Sequence, residues 1–120
     1  MNKVVVYGTL KEGYRNHYLI APYILKTETG IVYDFALIDC GFYPAAIKCP
    51  GTGIYVEVFT LRNHETALNL LDQLEGVPHL YSREEVDAHL DTGEIVSAWI
   101  YFMESAPVGR KKIHNGSWER

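Results

Sequence analysis

Cysteine is scarce: Cys40 and Cys49 are the only two in 120 residues. They form neither a Cys-x-x-Cys motif nor part of a cysteine–histidine comb, so no zinc site is expected. With no secretion leader in view, two buried free thiols are expected rather than a bridge. Long apolar runs are absent too, and none approaches the length that spans a bilayer. The opening Met-Asn-Lys-Val-Val-Val-Tyr-Gly reaches a turn after three valines, too soon for the apolar centre of a signal peptide. A cytoplasmic location with no membrane partner is the expectation. Nor is there a basic stripe, because 11 Lys and Arg are interleaved with 15 Asp and Glu for a net charge of −4. Gripping a duplex needs clustered phosphate-neutralising side chains, so nucleic acid is not an expected partner. No phosphate loop is present, and no Ser or Cys lies in a nucleophile elbow, which leaves covalent hydrolysis without a candidate.

What remains is an ordinary globular composition, 48% hydrophobic and 22% charged, that excludes disorder and coiled coil. One domain covering 1–120 is expected. Lys3 to Tyr7 is a β-branched run stopped by Gly8, hence a buried strand ending in a turn. A polar loop from Lys11 to His17 leads toward a short helix near Arg15 to Ala21, before Pro22. Ile24 to Asp39 reads as a strand buried on both faces, with Ile31, Tyr33, Phe35 and Leu37 on one side and Val32, Ala36 and Ile38 on the other. Gly41 and Pro44 mark one loop, Pro50, Gly51 and Gly53 a second, and a strand follows from Gly53 to Thr60. One helix is well signalled: Asn63 at its N-cap, Ala67, Leu70, Leu71 and Leu74 at helical spacing, and Gly76 with Pro78 as its stop. Strands over Tyr81 to Leu90 and Glu94 to Met103 flank the hairpin loop Asp91-Thr92-Gly93. One main helix with several doubly buried strands points to an α+β curled sheet or barrel, because repeated βαβ units are missing.

Glu75 stands out chemically. It falls in the last helical turn, where the helix dipole disfavours negative charge, and at the edge of the apolar stripe. Both effects raise a carboxyl pKa and suit a group that takes and returns a proton near neutrality. A solvated glutamate at a frayed helix end is the alternative. Tyr7-Gly8-Thr9-Leu10 is a strand end opening into a turn whose N–H groups can cup an anion, though such turns are also common structural features. Tyr81, Arg83, Glu85, Asp87 and His89 share one strand face. Tyr81 and Arg83 lie nearest the Glu75 turn, and the other three read as a solvated face.

Several of these segments occur together in a known order. Val-Tyr-Gly-Thr-Leu-Lys near the start, Asn16-His17, Gly-Phe-Tyr-Pro-Ala at 41–45 and Leu-Asp-Gln-Leu-Glu-Gly-Val-Pro-His-Leu-Tyr-Ser-Arg at 71–83 are followed by Ala98-Trp99-Ile100-Tyr101 and Gly116-Ser117-Trp118. From Lys3 to Trp118 the chain resembles the γ-glutamylcyclotransferase-like family, in particular its short bacterial members and the γ-glutamylamine cyclotransferases. The resemblance implies a small mixed β-barrel with one main helix, short flanking helices and a cavity at one mouth. It also implies an enzyme that cyclises a γ-glutamyl group, releasing 5-oxoproline and the amine or amino acid once attached, with no metal or cofactor. By position Glu75 is the acid/base, and Tyr7, Gly8, Thr9 and Leu10 bind the glutamyl group, with Tyr43, Tyr81, Arg83 and Tyr101 as further pocket residues. Ile54 departs from the pattern, since many relatives carry Glu after the glycine of that strand. Two other readings stay beside the enzyme: a non-catalytic module that holds a glutamyl-like metabolite or peptide, and a structural interaction domain.

Overall fold

The computed structural model describes residues 1–119. The valine run forms β1 (Lys3–Val6), in which Val4, Val5 and Val6 are all buried. Alternation sends Val5 and Tyr7 into one core cluster and Val4 and Val6 into another. Instead of one short helix there are two 3₁₀ turns, His17–Leu19 and Ala21–Tyr23. Pro22 sits at the start of the second turn, where its missing N–H costs no hydrogen bond.

The strands β2 (Ile24–Asp39) and β3 (Pro44–Leu61) form one long antiparallel hairpin. Here the structure corrects two expectations. The Pro50–Gly53 stretch does not divide two elements, because the pairing passes from Tyr33↔Gly53 to Phe35↔Lys48 and residues 49–52 bulge out opposite Asp34. Asp34 has a φ of 68° and its Oδ1 accepts the Gly51 N–H at 3.0 Å, which fixes the bulge. The extra residue also resets the alternation of β2. Val32 therefore joins Phe35 and Leu37 in one core cluster, while Tyr33 is turned outward.

The helix α1 (His64–Leu74) packs Ala67, Leu68 and Leu71 onto Val4, Val6, Phe59 and Leu61. Asn63 takes the N-cap position in a left-handed conformation, φ 46°, without a side-chain capping bond. Gly76, φ 65°, ends the helix as its sequence position suggested. After it come β4 (Ser82–Leu90) and β5 (Ile95–Phe102), joined by the expected hairpin loop, and then β6 (Lys111–Ile113), a short strand that the sequence reading did not contain.

Around the sheet the order is β3-β1-β5-β4-β2, and β2 pairs again with β3. Five strands thus close into a mixed barrel in which β1 and β5 are parallel and the other neighbours antiparallel. All five send side chains into the interior, among them Val5, Val32, Val56, Ala88 and Ala98. β6 extends the sheet along the end of β2, and Trp118 beyond it packs against the interior cluster. Cys40 is buried and Cys49 half-buried, both as free thiols. Among the described residues no helix is long and apolar enough to cross a membrane.

Candidate active site

A cavity of about 260 Å³ opens at one end of the barrel, between the turn after β1 and the last turn of α1. The turn is held rigidly from behind. At Gly8 a Cβ would meet the Pro44 ring at 2.7 Å, so the absence of a side chain lets these two segments touch. The Gly8 carbonyl accepts the Lys11 N–H at 3.0 Å, and Asn16 donates its backbone N–H to the Thr9 carbonyl at 2.9 Å and Nδ2 to Thr9 Oγ1 at 3.0 Å. His17 Nδ1 lies 2.9 Å from the Leu10 carbonyl, and its ring packs edge-on against Phe59. These bonds engage the carbonyls of the turn. The N–H groups of Gly8, Thr9 and Leu10 donate to no protein group among the described residues, although Gly8 and Leu10 are buried. A run of free N–H groups in a turn can serve as an anion-binding concavity.

Opposite the turn stands Glu75, at the C-cap of α1. It follows Leu71 by four residues and Leu68 by seven, so it continues the buried face of the helix. Leu74, expected on that face, is instead 43% exposed at the cavity mouth. The Glu75 carboxylate has no hydrogen bond or ion pair within the described residues, and burial lifts its pKa from an ordinary 4.5 to about 7. Burial likewise pushes the phenols of Tyr7, Tyr81 and Tyr101 above their usual range, and the nearby charge of Glu75 adds to each. All three therefore stay neutral around a carboxyl poised to titrate near neutrality.

The cavity brings together Tyr7, Gly8, Thr9, Leu10, Tyr43, Glu75, Tyr81 and Tyr101. It does not bring in Arg83. That guanidinium is bound to Asp72 on α1, with Nε to Oδ1 at 2.9 Å and Nη2 to Oδ2 at 3.2 Å, and it stacks on Trp99 at 4.4 Å. Arg83 sits opposite Tyr101 in the β4–β5 ladder, and the Tyr101 hydroxyl donates to the same Asp72 at 2.7 Å. Two cross-strand neighbours thus fasten the helical turn that carries Glu75. The Tyr7 hydroxyl is committed as well, donating to the Tyr101 carbonyl at 2.6 Å. Tyr7 and Tyr101 consequently offer rings to the cavity, whereas the hydroxyls of Tyr43 and Tyr81 make no bond within the described residues.

Arg15, Asn16, Pro44, Leu74 and Leu80 line the cavity without having been singled out as site residues. Asn16 and Pro44 lay inside segments that carried the resemblance. Arg15 is one of two cations in a polar loop, and nothing in its sequence context marks it. Among the described residues, no group of three or more His, Cys, Asp and Glu is gathered closely enough to hold a metal ion.

The family model described as "Gamma-glutamyl cyclotransferase, AIG2-like" matches residues 4–120. A Vibrio cholerae protein carrying the name "Putative gamma-glutamylcyclotransferase" is 31% identical over 115 residues, covering 96% of this chain and 93% of its own. A Danio rerio protein named "Gamma-glutamylaminecyclotransferase A" is 28% identical over 109 residues, covering 82% of this chain and 66% of its own. Among solved structures, an AIG2-like protein of Mus musculus superposes with a TM-score of 0.76 at 27% identity, covering 89% of this chain and 80% of that one.

Proposed function

The chain belongs to the gamma-glutamyl cyclotransferase, AIG2-like family, and from that premise we propose that, acting as one domain, it is an enzyme that cyclises γ-glutamyl amines or γ-glutamyl amino acids, with Glu75 as its acid/base. The observation that carries this reading is an unpaired, largely desolvated carboxylate that shares a small cavity with a row of free backbone donors.

In this mechanism the substrate supplies its own nucleophile. The α-amine of the glutamyl group titrates near pH ~8 and is largely protonated at neutrality. Glu75, ionised above about pH 7, takes that proton. The freed amine attacks the γ-carbonyl and closes a five-membered ring, and the carbonyl oxygen becomes an oxyanion. Glu75 then returns the proton to the departing nitrogen as the old C–N bond breaks and the oxyanion collapses to the carbonyl. The ring nitrogen gives its remaining extra proton to the released amine or to solvent, so 5-oxoproline and the amine leave and the enzyme is restored. The N–H groups of Gly8, Thr9 and Leu10 hold the α-carboxylate or receive the oxyanion. Tyr81 offers a neutral hydroxyl to the same space. The small cavity favours the folded-back substrate, and well-oriented intramolecular attack is worth roughly 7–11 kcal/mol.

The test is release of 5-oxoproline, quantified by mass, from a panel of γ-glutamyl amines and dipeptides, with Glu75→Gln assayed beside the wild type. Glu75→Gln is expected to fold and to lose ~10²–10⁴-fold in rate. A variant that kept more than about a tenth of the rate would remove Glu75 from the mechanism. Silence across the panel, with ligands still raising the melting temperature, would replace the enzyme by a binding module.

A further inference from the structure

The cavity is small beside a whole γ-glutamyl conjugate. Its 260 Å³ falls below the ~300–1,000 Å³ of sites that enclose a complete small-molecule ligand. The glutamyl half must take the inner part, because its amine has to reach Glu75 and its carboxylate the free N–H groups of the turn. The leaving group then lies across the mouth, and the mouth has a definite chemistry. Its walls include Tyr43, Leu74 and Leu80, which are 38%, 43% and 57% exposed, and beside them stands Phe42 at 78%. Large apolar groups left open to water at one rim favour an apolar occupant.

Charge at the mouth is of one sign. Of the described residues lining the cavity only Glu75 and Arg15 are charged, and Glu75 belongs to the inner part. Arg15 is exposed, its guanidinium carbon lies 5.9 Å from the centre of the Phe42 ring, and no carboxylate pairs with it among the described residues. A guanidinium beside an aromatic ring and without a carboxylate partner is free to take a carboxylate through two parallel N–H bonds. A cationic leaving amine would find no anion among the described residues that line the mouth and one repelling cation.

We propose that this mouth is a leaving-group subsite in which Phe42, Tyr43, Leu74 and Leu80 seat an apolar side chain while Arg15 pairs with a carboxylate beside it. The preferred substrate is then a γ-glutamyl dipeptide whose departing residue is an apolar amino acid, rather than a γ-glutamyl polyamine. The inference rests on the cyclotransferase reading of the same cavity and deepens it.

Binding and turnover separate the two. Three ligands are used: γ-glutamyl-phenylalanine, its C-terminal amide, and γ-glutamylcadaverine. Calorimetry with Glu75→Gln measures binding without cleavage, and 5-oxoproline release is followed with the wild type. The free acid is expected to bind about tenfold more tightly than the other two, as one charge-assisted pair allows, and in the wild type to show that advantage in KM rather than kcat. Arg15→Gln should abolish the preference, and Arg15→Lys should restore part of it. Phe42→Ala should weaken the free acid and its amide alike. Equal or tighter binding of the amide or of cadaverine, or a preference unchanged in Arg15→Gln, overturns the subsite. Equal release from all three ligands keeps the reaction and removes the subsite. Selective binding without release keeps the subsite and removes the reaction, and no binding of any ligand at millimolar concentration removes both.

Discussion

At position 75 the helical period that buries Leu68 and Leu71 comes round again and meets a carboxylate. Placing it there has a thermodynamic consequence that can be measured apart from catalysis. The folded-state pKa of about 7 lies above the ordinary 4.5, so between these values the folded protein keeps a proton that the unfolded chain has lost. Stability from this group is complete below about pH 4.5, falls as pH rises toward 7, and stays reduced above it. Glu75→Gln removes the penalty. The variant is expected to be more stable than the wild type at pH 8, by up to about 3 kcal/mol, and nearly equal to it at pH 4.5, in thermal unfolding at the two pH values. An equal difference at both would mean that the carboxylate does not titrate as its burial implies. In the enzyme kcat/KM is expected to fall as pH drops below about 7. Glu75 was legible in the sequence because its oddity is local: a charge on an apolar stripe beside a helix stop. Arg15 was not, because its meaning depends on Phe42 and on a cavity wall drawn from distant segments.

The elements that matter most to the site are the last turn of α1 and the two strands that hold it. Asp72 receives both the Arg83 fork and the Tyr101 hydroxyl, with its side chain and that of Arg83 each about a quarter exposed. Asp72→Asn is expected to cost about 1–2 kcal/mol, less than a buried pair because solvent screens part of it. A lower urea midpoint at unchanged m-value would register the loss. Because the Glu75 shift comes from burial and not from Asp72, kcat should drop several-fold with the acid limb of the pH profile still near 7. A limb that moves by a full unit would show instead that Asp72 acts on Glu75 electrostatically. The helix itself was readable from its period and its glycine stop. The clamp was not, because it needs the β4–β5 register that places Arg83 opposite Tyr101. The family resemblance implies Arg83 as a pocket residue, and only Asp72 explains why its long side chain turns aside.

For the whole molecule the decisive event is closure of the barrel. β2 meets β4 at Gly30↔Leu90, and a Cβ at Gly30 would lie 2.4 Å from the His89 carbonyl oxygen. Backbone cannot retreat there without opening the ladder, so Gly30→Ala is expected to lose about 3 kcal/mol in equilibrium unfolding. A loss below about 0.5 kcal/mol would mean that the ladder yields without strain. The sequence by itself determined β1, β2, β4, β5 and the second half of β3, the helix, its stop and the odd carboxylate, because each is written in residues within a few positions of one another. It placed the turn of Tyr7 to Leu10 and the helix end in the right order but could not bring them face to face. The tertiary structure decided the rest. A bulge opposite Asp34 carried Pro50 and Gly51 out of the ladder without ending β3 and reversed the alternation of β2, and closure brought the free N–H groups of the turn and Glu75 to one cavity. These are relations between segments far apart in the chain, fixed by packing and register, and no local pattern of side chains encodes them.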